Sequence, residues 1–478
     1  MFDVAIIGAG VVGCAIAREL TKYNLNICIL EKENDVSCGA SKANSGIVHG
    51  GYAAKHGTLK GELNAIGNRM YKKLDEELNF GYKETGALVL GFSEEDKLEL
   101  EKLYENGIKN NTLGLKLLEG DEIFSLEPNL NRDVKYALYC SSVGVTSPYE
   151  MTIALAENAI ANGASLLLKS KVVSIDKKKD SYSINLENGS NINSRFVINS
   201  AGAYSDKIAN MVGDFSFKIN HKRGQYVILD KMQGSLVNHV IFQVPTKLGK
   251  GILVTKTFHG NLMIGPNSED IDSPENIDTT EDILTYIVDT ARKSVPNFDM
   301  SKALTSYSGI RASSESGDFI IEESDVAKNF INLGGIESPG LTSSPAIAVK
   351  VLDILKSCGL KLIKNDTFNP YRSPIIVKKD SSFKGSTEDT DPEKHLICRC
   401  EKVTEAEIID ALKRGIPIES TDAIKRRTRA GMGFCQGNFC GPRVKSIIAK
   451  HNNVSIDKIS TRGPGSSILP KRVPPKSI

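Results

Sequence analysis

The sequence predicts an α/β protein with a small helical module near its C-terminal end, and three observations carry the prediction. Val4-Ala5-Ile6-Ile7 runs straight into Gly8-Ala9-Gly10-Val11-Val12-Gly13, a short apolar strand feeding a glycine-rich turn. Far downstream, Val197-Ile198-Asn199-Ser200-Ala201-Gly202 and Phe330-Ile331-Asn332-Leu333-Gly334-Gly335 repeat that pattern, as returning strands of a doubly wound sheet do. Finally, Cys398-Arg399-Cys400 is followed after thirty-four residues by Cys435-Gln436-Gly437-Asn438-Phe439-Cys440. Two closely spaced thiolate pairs make a soft four-sulfur site suited to iron–sulfur or zinc.

The helix after the first glycines carries Ala15, Ile16, Ala17 and Leu20, and Ile27–Leu30 is a second strand ending at Glu31. This is a complete βαβ unit. Gly8, Gly10 and Gly13 allow the tight turn, the approach of a pyrophosphate to backbone N–H groups, and close helix–strand contact. Glu31 lies eighteen residues beyond Gly13, where a carboxylate can accept from both ribose hydroxyls of an adenosine. Strand, glycines, helix, strand and carboxylate in that order define a Rossmann-like site rather than a chance turn.

Between the returning strands, Gly224–Leu229 and Gly251–Thr255 alternate as antiparallel strands of an inserted substrate domain. The nucleotide domain, residues 1–365, is therefore discontinuous. Its cofactor-binding parts are expected at about 1–80, 145–210 and 320–360, and its substrate parts at about 81–144 and 211–319, with Pro345–Leu355 as a closing helix. Residues 366–394 are polar and read as a linker or surface strap. Residues 395–452 form the thiolate module. There Thr404-Glu405-Ala406-Glu407 is a capping box opening a helix that stops at Gly415, and Pro442 marks a further helix start after Cys440. Residues 453–478 form a tail, rich in Pro, Gly, Ser and Lys from Arg462 onward and expected to be partly disordered.

At 478 residues the chain exceeds one compact core. A net charge of +2 gives no electrostatic reason for a nucleic-acid partner. The one dense basic run, Lys425-Arg426-Arg427-Thr428-Arg429, is expected to be a solvated helix face, with docking of an acidic partner as the next reading. Nine cysteines in so long a chain are not a secreted disulfide framework; Cys14, Cys28, Cys38, Cys140 and Cys358 are expected to be small buried hydrophobes. A strand within three residues of the N-terminus leaves no room for a signal peptide, and no apolar run approaches the ~20 residues that span a bilayer. The expected place is the cytoplasm, with membrane association only through a partner.

The Gly8–Gly13 turn, the segment Gly39-Ala-Ser-Lys-Ala-Asn-Ser-Gly-Ile-Val-His49-Gly-Gly51, Asn199–Gly202 and Gly334-Gly335 resemble the D-amino-acid-oxidase type of FAD-dependent oxidoreductase across residues 1–355. Cys398–Cys400 with Arg426–Cys440 resembles the bacterioferritin-associated-ferredoxin-like domain, in which four cysteines bind a 2Fe-2S cluster. The combination is similar to catalytic subunits of anaerobic glycerol-3-phosphate dehydrogenases. Residues 43–75 and Ser338–Pro345 are similar instead to L-2-hydroxyglutarate oxidases. The resemblance implies FAD bound at Gly8, Gly10, Gly13, Glu31, Ser41, Ser45, Gly46, Val173, Ala201, Gly202, Gly335, Gly340, Leu341 and Thr342, and a 2Fe-2S cluster on Cys398, Cys400, Cys435 and Cys440. It also implies that His49 stands beside the flavin ring and that Arg311 clamps an anionic substrate group. The implied electron acceptor is a partner protein, either an NAD-linked flavoprotein or a membrane-anchoring subunit.

Elementary chemistry agrees with this cofactor pair. A relay needs a two-electron acceptor that can release electrons singly, which a flavin does and a nicotinamide does not do readily. His49 carries an imidazole, the side chain best suited to proton transfer near neutral pH, with a structural role as the alternative. Arg311 presents a fork shaped for carboxylate or phosphate, with a surface salt bridge as the alternative. Structural zinc usually takes cysteines two to four residues apart at both ends, so spacings of one and four residues fit 2Fe-2S better. A helix starting beside Cys440 stabilises anionic sulfur. Two departures bear on substrate: Tyr52 and Ala53 follow His-Gly-Gly where aerobic glycerol-3-phosphate enzymes have an arginine, and no histidine lies near Leu253-Val254, where hydroxyglutarate oxidases have one.

The expected function is an FAD-dependent dehydrogenase of a small anionic alcohol, best matched by sn-glycerol 3-phosphate, with electrons leaving through the 2Fe-2S cluster. The alternative within the class is L-2-hydroxyglutarate or another 2-hydroxy acid, with CH–NH substrates such as amino acids behind it. From other classes come a non-catalytic electron-transfer or iron-handling flavoprotein, against which the long flavin scaffold argues, and a tRNA-modifying flavoprotein, against which the absence of basic patches argues.

Overall fold

The computed structural model describes residues 1–245, 251–380, 382–463 and 466. The chain divides into two units: Met1–Lys32 with Val36–Arg372, and Glu33–Asp35 with Ser373–Ile478.

The first unit is built on two large sheets. In the first, strand Phe2–Ile7 lies parallel between Ile27–Leu30 and Asn191–Asn199, with Val4 opposite both Ile27 and Phe196. Val4, Ala5 and Ile6 are fully buried, as expected of a central strand covered on both faces. Asn191–Asn199 is long enough to serve three neighbours: its first half pairs antiparallel with Tyr182–Leu186 and its end runs parallel to Phe330–Gly334. All three strand-to-glycine turns therefore emerge at the same edge.

Among the described residues the second sheet has nine strands and is mostly antiparallel, as the alternating segments predict. One pairing departs from this: Val240–Gln243 runs parallel to Ala87–Gly91. Strand Ala303–Ser314 pairs along the length of Ile219–Leu229, from Ile219 opposite Ser314 to Leu229 opposite Ala303. That register places Arg311 opposite Lys222, on a strand held along its length.

Helix Leu59–Leu78 packs on helix Gly340–Ser357 so closely that a Cβ on Gly67 would lie 2.1 Å from the Thr342 carbonyl oxygen. The second of these helices starts at Gly340, five residues before the start predicted from Pro345. A proline inside a helix leaves the carbonyl four residues back without its N–H. Here that carbonyl, of Leu341, accepts instead from the Tyr71 hydroxyl at 2.5 Å and the Ser344 hydroxyl at 2.9 Å. At the end of this unit, the Asn369 carbonyl accepts from Asn158 and Asn162, and Arg372 pairs with Glu157 at 2.6 Å.

The second unit wraps helices Glu405–Leu412, Thr421–Thr428 and Gly441–Asn452 around Ile397, Ile408, Ile424, Val444 and Ile448, beside a two-stranded ladder of Leu396–Cys398 and Val403–Thr404. The Thr404–Glu407 capping box forms as its spacing predicts, and Pro442 lies in the first turn of the last helix, whose N-cap is Cys440. The basic run is the main correction. Arg426, Arg427 and Arg429 are buried rather than solvated. The Asp35 carboxylate, fully buried, accepts from Arg426 at 2.6 Å and from Arg427 at 2.7 and 2.8 Å; Arg429 pairs with Glu401 at 2.8 Å. These cations are consumed internally, which also removes the acidic-docking reading for them. The expected disordered tail falls largely on residues 464–465 and 467–478, outside the described residues. Among the described residues no helix is long and apolar enough to cross a membrane.

Candidate active site and thiol site

Helix Val11–Leu20 begins without a side-chain cap and without an acid in its first turn, so its N-terminal N–H groups face a position suited to an anion. A Cβ on Gly13 would lie 2.1 Å from the Gly8 carbonyl oxygen, so only glycine lets helix and turn close together. Glu31 does more than its spacing suggested: Oε2 accepts the Ala9 N–H at 2.8 Å, fastening the turn from the end of the next strand. Ser41 accepts the Val11 N–H at 2.9 Å. Ser200 donates its N–H and hydroxyl to the Ile7 carbonyl, which brings Ser200 and Ala201 against Gly8. Val173 stands at a bulge on the edge strand Val172–Lys177 and is exposed.

The segment containing His49 is fastened to the first turn of the Gly340–Ser357 helix. The His49 N–H donates to Thr342 Oγ1 at 2.9 Å, and Thr342 Oγ1 donates to the Ile47 carbonyl at 3.3 Å. Ser338 Oγ lies 3.4 Å from His49 Nε2, at the loose end of hydrogen bonding, and the Phe242 ring is 6.0 Å from the imidazole. Next to Ser338, Glu337 accepts from Lys60 at 2.7 Å and from Ser313 at 2.6 Å. Ser313 is two residues from Arg311 and so on the same face of its strand. The structure thus links the His49 and Arg311 regions through a continuous run of neighbours.

Arg311 is not part of a surface salt bridge. Nη2 donates to the Asn267 carbonyl at 3.0 Å, the Tyr226 phenol lies beside the guanidinium, and no carboxylate lies within pairing distance among the described residues. Tyr226 also reaches Ser45 and stacks on Tyr307 at 4.6 Å. Burial raises the Tyr226 phenol above its ordinary range while Arg311 and Ser45 oppose the rise, and burial raises Tyr307 further. Both therefore stay neutral and act through hydrogen bonds. The result is a half-buried cation held by neutral groups, an arrangement that can accept an anion. Tyr226, Ser338 and Glu337 were not singled out as site residues from sequence; the strand alternation around Tyr226 and the Ser338-Pro-Gly run were the available signals. Tyr52 is buried in the core with Cys140 and Val143.

In the second unit the four cysteines act on one another as two neighbouring pairs, Cys398 with Cys440 and Cys400 with Cys435. The Cys440 thiol and the N–H groups of Gly431 and Glu401 pull Cys398 down to about 6, and Cys398 in turn pushes Cys440 up. The N–H groups of Phe439 and Gly437 lower Cys435. Two sulfur pairs, each fed by backbone donors, match the needs of a two-iron group with two thiolates per iron. Gly433 approaches so closely that a Cβ there would lie 2.2 Å from that of Cys400.

Residues 3–354 match the FAD dependent oxidoreductase family and residues 396–450 the BFD-like 2Fe-2S binding domain. The chain belongs to the FAD-dependent oxidoreductases and uses FAD and a 2Fe-2S cluster as cofactors. It is 49% identical to a glycerol 3-phosphate dehydrogenase of Caloramator mitchellensis over 98% of both chains. An L-2-hydroxyglutarate dehydrogenase of Pongo abelii is 28% identical over 74% of this chain and 87% of its own. Among solved structures, the FAD-bound L-alpha-glycerophosphate oxidase of Mycoplasma pneumoniae superposes with a TM-score of 0.74 at 30% identity, covering 78% of this chain and 98% of the oxidase.

Proposed function

We propose that the chain is a dehydrogenase of sn-glycerol 3-phosphate that passes electrons through its 2Fe-2S cluster to a partner protein. The observation that carries this reading is the extent of the kinship: the dehydrogenase relative runs the length of both units, whereas the oxidase accounts for only 78% of this chain. We place the enzyme in the cytoplasm, reaching a membrane only through its partner.

On this reading Arg311 holds the substrate phosphate, its fork matching two oxygens, while Tyr226 fixes the guanidinium plane. His49 accepts the C2 hydroxyl proton at Nε2, with Ser338 and the Thr342 contact setting the ring and its backbone. The turn Gly8–Gly13 and the helix N-terminus behind it hold the pyrophosphate, Glu31 the ribose, and Ser41, Ser45, Gly46, Val173, Ala201, Gly202, Gly335, Gly340, Leu341 and Thr342 line the remaining cofactor path. Cys398, Cys400, Cys435 and Cys440 would hold the 2Fe-2S cluster, which would supply a one-electron carrier. FAD, when bound, supplies a two-electron acceptor that can release electrons one at a time.

The test is anaerobic bleaching of the flavin across a panel of glycerol 3-phosphate, L-2-hydroxyglutarate and amino acids. Rapid bleaching by glycerol 3-phosphate is expected. Bleaching by a 2-hydroxy acid alone would replace the substrate while keeping the class.

A further inference from the structure

The thiol site is lopsided. Cys398 and Cys440 are each 1% exposed, whereas Cys400 is exposed and Cys435 half-buried. A group bound across all four sulfurs presents its Cys400–Cys435 end to solvent. The side chains flanking that end are unusual for a solvated surface. Phe434, next to Cys435, is 79% exposed, and Phe439 is 47% exposed. The guanidinium of Arg399, next to Cys400, lies 5.4 Å from the Phe439 ring centre, and that of Arg443, in the first turn of the last helix, lies 4.7 Å from it. Neither has a carboxylate partner among the described residues; Arg399 donates only to the Thr387 hydroxyl, and Arg443 Nη1 is buried without a hydrogen-bond partner. Glu401, the acid nearest in sequence, is buried and held by Arg429.

A single exposed aromatic needs no explanation. Two of them beside the open end of a thiolate site, with two unpaired guanidiniums, have the composition of an interface core, where aromatics and arginine are enriched and acids depleted. We infer that an electron-accepting protein with an acidic face docks on this patch, over the Cys400–Cys435 end of the cluster. The inference rests on the proposed dehydrogenase reading and deepens it by naming where electrons leave and what charge receives them. Unpaired cations select an acidic face and speed its arrival, while Phe434 supplies the apolar contact that holds it. For each alcohol oxidised to a ketone, two electrons and two protons leave the substrate. Two acceptor molecules are each reduced by one electron, and the protons pass to water.

The experiment uses full-length protein reduced anaerobically by light and a deazaflavin, then mixed with the acidic haem domain of cytochrome b5 or with basic cytochrome c. Wild-type protein is expected to reduce cytochrome b5 at a rate that falls with salt. Arg399→Glu with Arg443→Glu should lower that rate about tenfold or more at low salt and abolish its salt dependence, the scale of electrostatic steering. Its rate with cytochrome c should not fall. Phe434→Ser, at an exposed position, should slow cytochrome b5 reduction at every salt concentration. Iron content, cluster spectrum and flavin reduction by glycerol 3-phosphate should be unchanged in both variants. An unchanged cytochrome b5 rate in the double variant overturns the inference, as does a wild-type protein that prefers cytochrome c at low salt. Slower filling of the cluster by substrate in Phe434→Ser also overturns it, since the patch would then be an entry. Because light supplies the electrons, failure of the substrate reading leaves the carrier measurements standing, and failure of the cluster reading shows as missing iron.

Discussion

The Arg311 guanidinium donates to the Asn267 carbonyl oxygen at 3.0 Å, and no carboxylate competes for that arginine among the described residues. A strand cation left with neutral partners costs desolvation unless a ligand anion completes it. That relationship sets Arg311 apart from a structural ion pair.

Arg311→Ala should raise the substrate concentration needed for half-maximal flavin reduction by a hundredfold or so, about 3 kcal/mol for a charged hydrogen bond, with FAD content unchanged. Arg311→Lys should recover part of the loss, because an ammonium cannot make the bidentate contact. Tyr226→Phe should cost about 1 kcal/mol, several-fold in the same titration. Wild-type titrations in all three would return Arg311 to a structural role.

Glu31 holds the glycine turn through the Ala9 N–H, beside its proposed contact with the cofactor ribose. Glu31→Ala should therefore weaken FAD retention by about 1–3 kcal/mol, measured as FAD released on dilution. Gly13→Ala should be more severe, since its methyl would strike the Gly8 carbonyl. Full FAD occupancy in Gly13→Ala would show that the turn tolerates rearrangement.

Cys435→Ser should remove the cluster's iron and absorbance, because a hard oxygen is a poor substitute for thiolate. FAD should remain, and substrate should still bleach it in a single turnover. Turnover with a protein acceptor should fall sharply, while a small dye that reaches the flavin directly is spared. Loss of single-turnover bleaching would make the cluster structural; full turnover with the protein acceptor would place it off the electron route.

Arg427 is fully buried and pairs with Asp35 through two hydrogen bonds. Removing one member of such a pair strands the other, at about 3–5 kcal/mol. Asp35→Ala should lower the temperature at which iron is released, followed by cluster absorbance during heating. An unshifted transition would mean that Arg427 finds another acceptor.

Much of the turn and capping geometry was legible because it is local. The Gly8–Gly13 turn, Glu31, the Thr404–Glu407 box and Pro442 each declare themselves within a few residues through backbone requirements that few residue types meet. What failed to show depends on partners far away in sequence. Nothing in Lys425–Arg429 distinguishes a solvated helix from one whose arginines are buried, because their acid, Asp35, lies 391 and 392 positions earlier. The early start of the Gly340–Ser357 helix depends likewise on the Tyr71 hydroxyl, 270 residues upstream of Leu341. Tyr226 looked like one more strand residue until Ala303–Ser314 was laid beside it.

The placement of Glu33–Asp35 with residues from Ser373 onward has a consequence for how the chain is made and rearranged. Those three residues leave the ribosome early, and the arginines that complete Asp35 are synthesised almost four hundred residues later, so the cluster unit can close only at the end of synthesis. A gene fragment beginning after Arg372 would encode every cysteine of the cluster and still lack the carboxylate its buried arginines require. Grafting that fragment onto another enzyme, or expressing the halves separately, would transfer the ligands without the core that holds them.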